Sequence, residues 1–186
     1  MLRLLKLIMR LFVAVEIDEG LKDKLVEIQA KLFEPAVKLV ERQNLHVTLK
    51  FIGEVPDERV AEIREALQGV KTLPFEVEIG GLGTFPPDSD RINVVWVDCK
   101  GPLAELAAKV EEALKPLGFA RDERGFSSHL TLARVKQKPE RLAGVVKELA
   151  SALVGKQLVN CFVLKRSTLT PQGPIYEDIE VYKLGG

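Results

Sequence analysis

Two histidines are all that this 186-residue chain contains, and both stand in the same four-residue phrase, His46-Val47-Thr48-Leu49 and His129-Leu130-Thr131-Leu132. An imidazole exchanges protons near neutral pH because its ordinary pKa is about 6.5. A hydroxyl two positions further on can donate a hydrogen bond to a developing oxyanion. With six threonines in the chain, the same offset from each histidine is a signal rather than background. Both phrases read as strands, and in a strand residues i and i+2 share a face. His46 and Thr48 therefore point one way and Val47 and Leu49 the other, into a core; His129 and Thr131 oppose Leu130 and Leu132 in the same manner. Brought face to face, the segments offer a base for an attacking oxygen, an acid for a leaving oxygen and two hydroxyl donors. That set suits in-line displacement at a phosphodiester without a metal, and it predicts a bell-shaped pH dependence.

The elements that must position these groups follow from period and punctuation. Residues 11–18, 46–53 and 75–83 read as strands, with helices over 19–34 and 57–69 between them. The order then repeats: strands over 92–99, 129–135 and 157–169, helices over 102–118 and 139–153, and a last strand over 175–184. His46 and His129 are 83 positions apart, as are Pro56 and Pro139. The spacing indicates a duplicated β-α-β-α-β unit in one domain spanning residues 1–186. Two like halves packed about an approximate two-fold axis set the two His-x-Thr segments opposite each other.

Composition narrows the class without naming it. Lys plus Arg and Asp plus Glu are both 27, so the total charge carries no bias toward nucleic acid or anionic membranes. Charge distribution can still create a local basic groove. Cys99 and Cys161 stand alone in apolar strands, which fits structural thiols in a reducing compartment better than a disulfide framework. A zinc site built from both cysteines and both histidines lacks any pair of ligands at close spacing, so no metal is expected. The opening MLRLLKLIMR is interrupted by Arg3, Lys6 and Arg10, too short in its apolar runs for a membrane span or a signal core. Residues 1–8 read as a leader or frayed tail, and a cytoplasmic, monomeric protein is expected.

The segments NLHVTLKFIGEV and FSSHLTLARVK closely resemble the two signature segments of the 2H phosphoesterase superfamily, in particular the LigT-like RNA 2′,3′-cyclic phosphodiesterases, or 2′-5′ RNA ligases. The resemblance continues through MRLFVAVEID, GLGTFPPDSDRINVVWV and TLTPQGPIYEDIEVYKL and covers residues 9–184. It implies a bilobed α+β fold in which two antiparallel sheets form a V-shaped central cleft with helices outside. It also implies cofactor-free opening of a terminal 2′,3′-cyclic phosphate on RNA, tRNA fragments included, to a 2′-phosphate. By analogy His46 is the proton donor to the 3′-oxygen, His129 the acceptor that activates water, and Thr48 and Thr131 bind phosphate. A 5′-hydroxyl in place of water would make a 2′-5′ linkage. Two other readings remain: the same chemistry on a 2′-5′ oligonucleotide or small cyclic nucleotide, and an RNA-end-binding module.

The resemblance further implies that Phe51 and Arg134, each five positions after its histidine, flank the terminal nucleobase. Strict alternation places both on the face away from the histidines, unless the strand bulges. By the same alternation Lys50 shares the His46 face, where it is within reach of phosphate but reads more simply as a solvated edge lysine. Trp96 reads as core, 81–90 as a long loop that lines the cleft, 118–128 as a mobile charged turn, and 170–174 as a plain turn.

Overall fold

The computed structural model describes residues 7–87, 91–119 and 125–185. Nine strands form one antiparallel ladder, numbered in chain order: β1 (Ile8–Glu16), β2 (Val37–Leu39), β3 (His46–Pro56), β4 (Phe75–Phe85), β5 (Val94–Lys100), β6 (His129–Val135), β7 (Leu153–Val159), β8 (Cys161–Leu169) and β9 (Pro174–Lys183). Among the described residues four helices are interleaved: α1 (Glu19–Lys31), α2 (Val60–Gln68), α3 (Leu103–Leu114) and α4 (Leu142–Glu148). The strand order is β7-β4-β5-β6-β3-β1-β8-β9, with β2 on β6. Two four-stranded halves meet at β3 and β6, whose only registered pair is Val47 with Leu130. The bilobed α+β architecture holds, with its waist at the two His-x-Thr strands.

The halves of the sequence and the halves of the fold do not coincide. The third strand of the first repeat, β4, pairs with β5 of the second, while β8 of the second pairs with β1 of the first. Helices cross as well: α1 packs on β6 and β7, and α3 on β3. Neither repeat encloses a core by itself. One face of the ladder carries Leu11, Val13, Val15, Val47, Val95, Val97 and Leu130, buried in one core with Leu103, Leu106, Val110 and Leu114 of α3 and Leu21 and Leu25 of α1. Burial of such side chains stabilises by about 1.5–3 kcal/mol each before conformational entropy is subtracted.

Several boundaries differ from the sequence reading, each for a physical reason. Helix α1 stops at Lys31, ahead of Pro35, whose ring disfavours helical backbone at the residue before it. The last turn expected of the helix over 102–118 is a 3-10 turn over Lys115–Leu117, closed by Gly118 at φ 85°. The single strand expected over 157–169 is two: the chain leaves the β4 edge at Asn160 and crosses to β1, and the helix before it is correspondingly short. Strand β1 begins at Ile8, and the Leu7 carbonyl accepts from Asp57 N–H at 2.9 Å, so the end of the expected leader is structured. Residues 1–6 lie outside the described residues. Among the described residues no helix is long and apolar enough to cross a membrane.

Candidate active site

The waist of the ladder brings the two histidines together. Val47 and Leu130 pair across it, so His46 and His129 each lie one residue from the junction of the two halves. Their surroundings repeat. The His46 Nδ1–H donates to the Asn44 carbonyl at 2.7 Å, and the His129 Nδ1–H to the Ser127 carbonyl at 2.8 Å. The carbonyls fix the proton on Nδ1 and leave Nε2 of both rings as the proton-exchanging atom. Thr48 Oγ1 lies 3.0 Å from His46 Nε2 and donates to it while the ring is neutral. Across the ladder, Glu16 stands opposite His46 and Asp98 opposite His129.

The charges around the two sites are less symmetrical than their backbones. Glu16 is bridged by the buried Lys22 at 3.4 Å and by the buried Lys165, which also holds Asp178 at 2.5 Å. Burial pulls the Lys165 pKa down, but the bonds to Asp178 and Glu16 outweigh it and the net shift is upward. Asp98 instead accepts from the backbone N–H of Cys99 at 2.9 Å. Burial holds the His46 pKa below the ordinary imidazole value; the Asn44 carbonyl and Glu16 oppose the shift, and Lys165 and Lys22 add to it.

Aromatic rings build the walls. Phe12, Tyr176 and His46 form one cluster, with centroids 5.1 Å apart for Phe12–His46 and 5.3 Å for Tyr176–His46. Phe85 stands edge-on to His129 at 5.1 Å and packs on Trp96 at 5.3 Å. Trp96 is opposite Thr131, on the histidine side of the ladder, rather than in the core as expected. Its ring lies flat over Gly83, where an added Cβ would come within 2.3 Å of it. Residues 81–85 are strand rather than loop because Gly80 and Gly81 take up a register shift and let β4 continue beneath the indole. Positions 88–90 of that expected loop, and 120–124 of the expected charged turn, lie outside the described residues. The turn at Thr170–Gly173 is as expected; the Lys38 ammonium donates to the Gln172 carbonyl at 3.0 Å and the Asn44 amide to the Pro174 carbonyl at 2.9 Å, so it is pinned to the segment ahead of His46.

A matched pair of bulges corrects the alternation argument. In the β1–β3 ladder Thr48 faces Ala14 and Lys50 faces Val13, so Leu49 is an extra residue. In β5–β6, Thr131 faces Trp96 and Ala133 faces Val95, so Leu132 is extra. Each bulge falls three residues after its histidine. Phe51 is thereby turned to the histidine face, opposite Phe12 with ring centroids 6.3 Å apart, and is 68% exposed. Arg134 is also exposed, opposite Val94, and its charge acts on Tyr176. Because β3 and β6 run antiparallel through the waist, Phe51 and Arg134 lie on opposite sides of the histidines, each roughly 13 Å along its strand from the junction.

Lys50 goes the other way. It is only 5% exposed and its ammonium is 2.7 Å from Glu111 of α3, so it neither shares the His46 face nor lies in solvent. The bulge at Leu132 is held because its carbonyl accepts from both Val40 N–H at 2.9 Å and the buried Gln29 amide at 2.8 Å. The sequence reading missed Phe12, Phe85, Tyr176, Glu16 and Asp98. The repeat does mark the two carboxylates: they stand 30 and 31 residues before their histidines. Among the described residues no group of three or more His, Cys, Asp or Glu side chains is placed to hold a metal ion.

Comparison with known proteins places this geometry. Residues 15–96 and 97–176 each match the family model described as LigT like Phosphoesterase, one match per repeat. An RNA 2′,3′-cyclic phosphodiesterase of Archaeoglobus fulgidus is 46% identical over 179 residues, covering 94% of this chain and all of that protein. One from Methanothermobacter thermautotrophicus is 41% identical, covering 94% of this chain and 98% of its own length. Among solved structures, TT0787 of Thermus thermophilus superposes with a TM-score of 0.85 at 30% identity, covering 96% of this chain and 99% of that one. E. coli LigT, solved with 3′-AMP, superposes with a TM-score of 0.80 at 23% identity over 97% of this chain and all of that one, a likeness of fold.

Proposed function

This chain belongs to the LigT-like phosphoesterases, and from that premise we propose that it opens the terminal 2′,3′-cyclic phosphate of RNA to a 2′-phosphate by acid–base catalysis between His46 and His129. The observation that carries the reading is the waist itself: two imidazoles from two repeats, each with Nδ1 bound to a carbonyl and Nε2 left to exchange protons. Water attacks phosphorus in line with the 3′-oxygen. His129 Nε2 takes the proton from that water, the bond from phosphorus to the 3′-oxygen breaks, and His46 Nε2–H protonates the departing oxygen. The product is a 2′-phosphate beside a free 3′-hydroxyl.

His46 is held toward its neutral form in the free protein, so in this reading its proton arrives with the substrate, whose negative charge favours the imidazolium. Thr48 turns its hydroxyl from His46 Nε2 to a non-bridging phosphate oxygen, and Thr131 donates to another from the opposite strand. Arg134 and Phe51 flank the terminal nucleotide from the two sides of the phosphate, by stacking and cation–π contact. Each catalytic group comes from one chain, so a monomer suffices and a metal is not required. With the 5′-hydroxyl of another RNA in place of water, the same proton transfers give a 2′-5′ linkage. The setting would be the cytoplasm, and tRNA fragments bearing cyclic ends are substrates of the right chemistry.

Phosphorus NMR of the products formed from a nucleoside 2′,3′-cyclic phosphate in EDTA tests the reading. A 2′-phosphate alone supports it; a 3′-phosphate reverses the two histidine roles. Tight binding of RNA ends without turnover would leave a binding module instead.

A further inference from the structure

Strand β6 leads out of the candidate site into a second concavity. A cavity of about 510 Å³ lies between the segment entering β5 and the segment leaving β6, and Arg91, Asn93, Lys136, Gln137 and Lys138 supply its polar lining. No carboxylate is among the described residues that line it. In a chain with 27 cations and 27 anions, Lys136 and Lys138 stand together on one rim of the hollow, beside the amides of Asn93 and Gln137, where they can meet an anionic group. The volume falls within the range that holds a nucleotide-sized group.

The mounting is firm and continuous with the site. Val135 N–H donates to the Asn93 carbonyl and Lys136 N–H to the Ala36 carbonyl, both at 2.9 Å, tying the end of β6 to its neighbours on either side. Between the cavity and the histidines stands the exposed Arg134, with Lys38 across from it on β2. At about 3.3 Å per residue, Lys136 is about 23 Å along the chain from His129. That is too far to touch the reacting phosphate, and it is the direction in which a strand held at its cyclic end must leave the cleft on the Arg134 side.

We propose that this groove holds the phosphodiester backbone of the RNA upstream of its cyclic end, with Lys136 and Lys138 as the phosphate-binding cations. The proposal rests on the functional reading above and adds to it the path that the RNA takes beyond its reacting end. Contacts of this kind are electrostatic and independent of sequence, and they weaken with salt in proportion to the number of phosphates neutralised.

The test compares wild type with the Lys136→Ala/Lys138→Ala double variant, reading kcat/KM on a nucleoside 2′,3′-cyclic phosphate and on tetra- and octaribonucleotides with the same end. Fluorescence anisotropy with an octaribonucleotide 2′-phosphate reads binding in parallel. Wild type should favour the longer substrates through KM. The double variant should bind the octamer about tenfold more weakly and reduce the slope of log K against log salt by about one to two. Its mononucleotide kinetics and melting temperature should match wild type. An octamer affinity and salt slope equal to wild type would overturn the groove. If wild type turns over no cyclic phosphate, the hydrolase reading fails instead, and the anisotropy difference still decides whether the groove binds RNA.

Discussion

The bulge at Leu49 decides what Lys50 does, and replacing Lys50 shows it. Unbroken alternation would set the ammonium beside His46, where Lys50→Ala would cost activity and little stability. The structure buries it against Glu111, with side-chain exposures of 3% and 19%. Removing one partner of a buried pair strands the other charge and costs about 3–5 kcal/mol when both are fully enclosed. Glu111 keeps some contact with water, so the lower end, about 3 kcal/mol, is expected. With a urea m-value of about 2 kcal/mol/M for a chain of this size, the midpoint should fall by about 1.5 M. Replacing both charges at once, Lys50→Met with Glu111→Leu, should recover most of the loss, since neither member of this pair is then left without the other. Urea melts by circular dichroism, with turnover measured below the transition, separate the two outcomes. A Lys50→Ala protein that melts like wild type but has lost its activity would refute the bulge and the placement of Phe51 with it.

Gly83→Ala should cost about 1–3 kcal/mol by forcing the Trp96 ring off its seat, and almost nothing in a Trp96→Ala background; equal costs in both backgrounds would refute the contact. Because the His46 pKa is lowered on folding, the unfolded chain takes up its proton first, so the stability His46 contributes is full above about pH 6.5 and is lost as pH falls below it. His46→Gln should therefore flatten the melting temperature between about pH 5 and 7 relative to wild type; parallel curves would contradict the assigned burial. Thr48→Ala and Thr131→Ala should each lower kcat by about a hundredfold or more if the hydroxyls meet charge that develops in the transition state, and a rise in KM alone would place them in ground-state binding instead.

Much of this arrangement is written in residue types, and what is not has a common cause. The β6 strand, the duplicated order and the convergence of His46 and His129 follow from period, punctuation and spacing. The two bulges do not, because nothing in Leu49 or Leu132 differs from an ordinary strand residue. They are fixed by partners far along the chain, such as Gln29 and Val40 holding the Leu132 carbonyl. The placement of Phe51, Arg134 and Lys50 therefore required the ladder register. Trp96 misled for a related reason: an indole in an apolar strand reads as core, and only the small Gly83 on the neighbouring strand reveals the face it lies on. The split of 157–169 into β7 and β8 was hidden because both pieces are good strands, and their exchange between lobes is a property of the whole topology.

The most direct test of the two-histidine account is single-turnover hydrolysis of an RNA 2′,3′-cyclic phosphate by wild type, His46→Ala, His129→Ala and the double variant, each first shown to fold by its melting curve. If the imidazoles act as one acid–base unit, each single variant should lose about a thousandfold or more, and the double variant should be scarcely slower than either. A single variant within about tenfold of wild type, or losses that multiply in the double variant, would contradict the account.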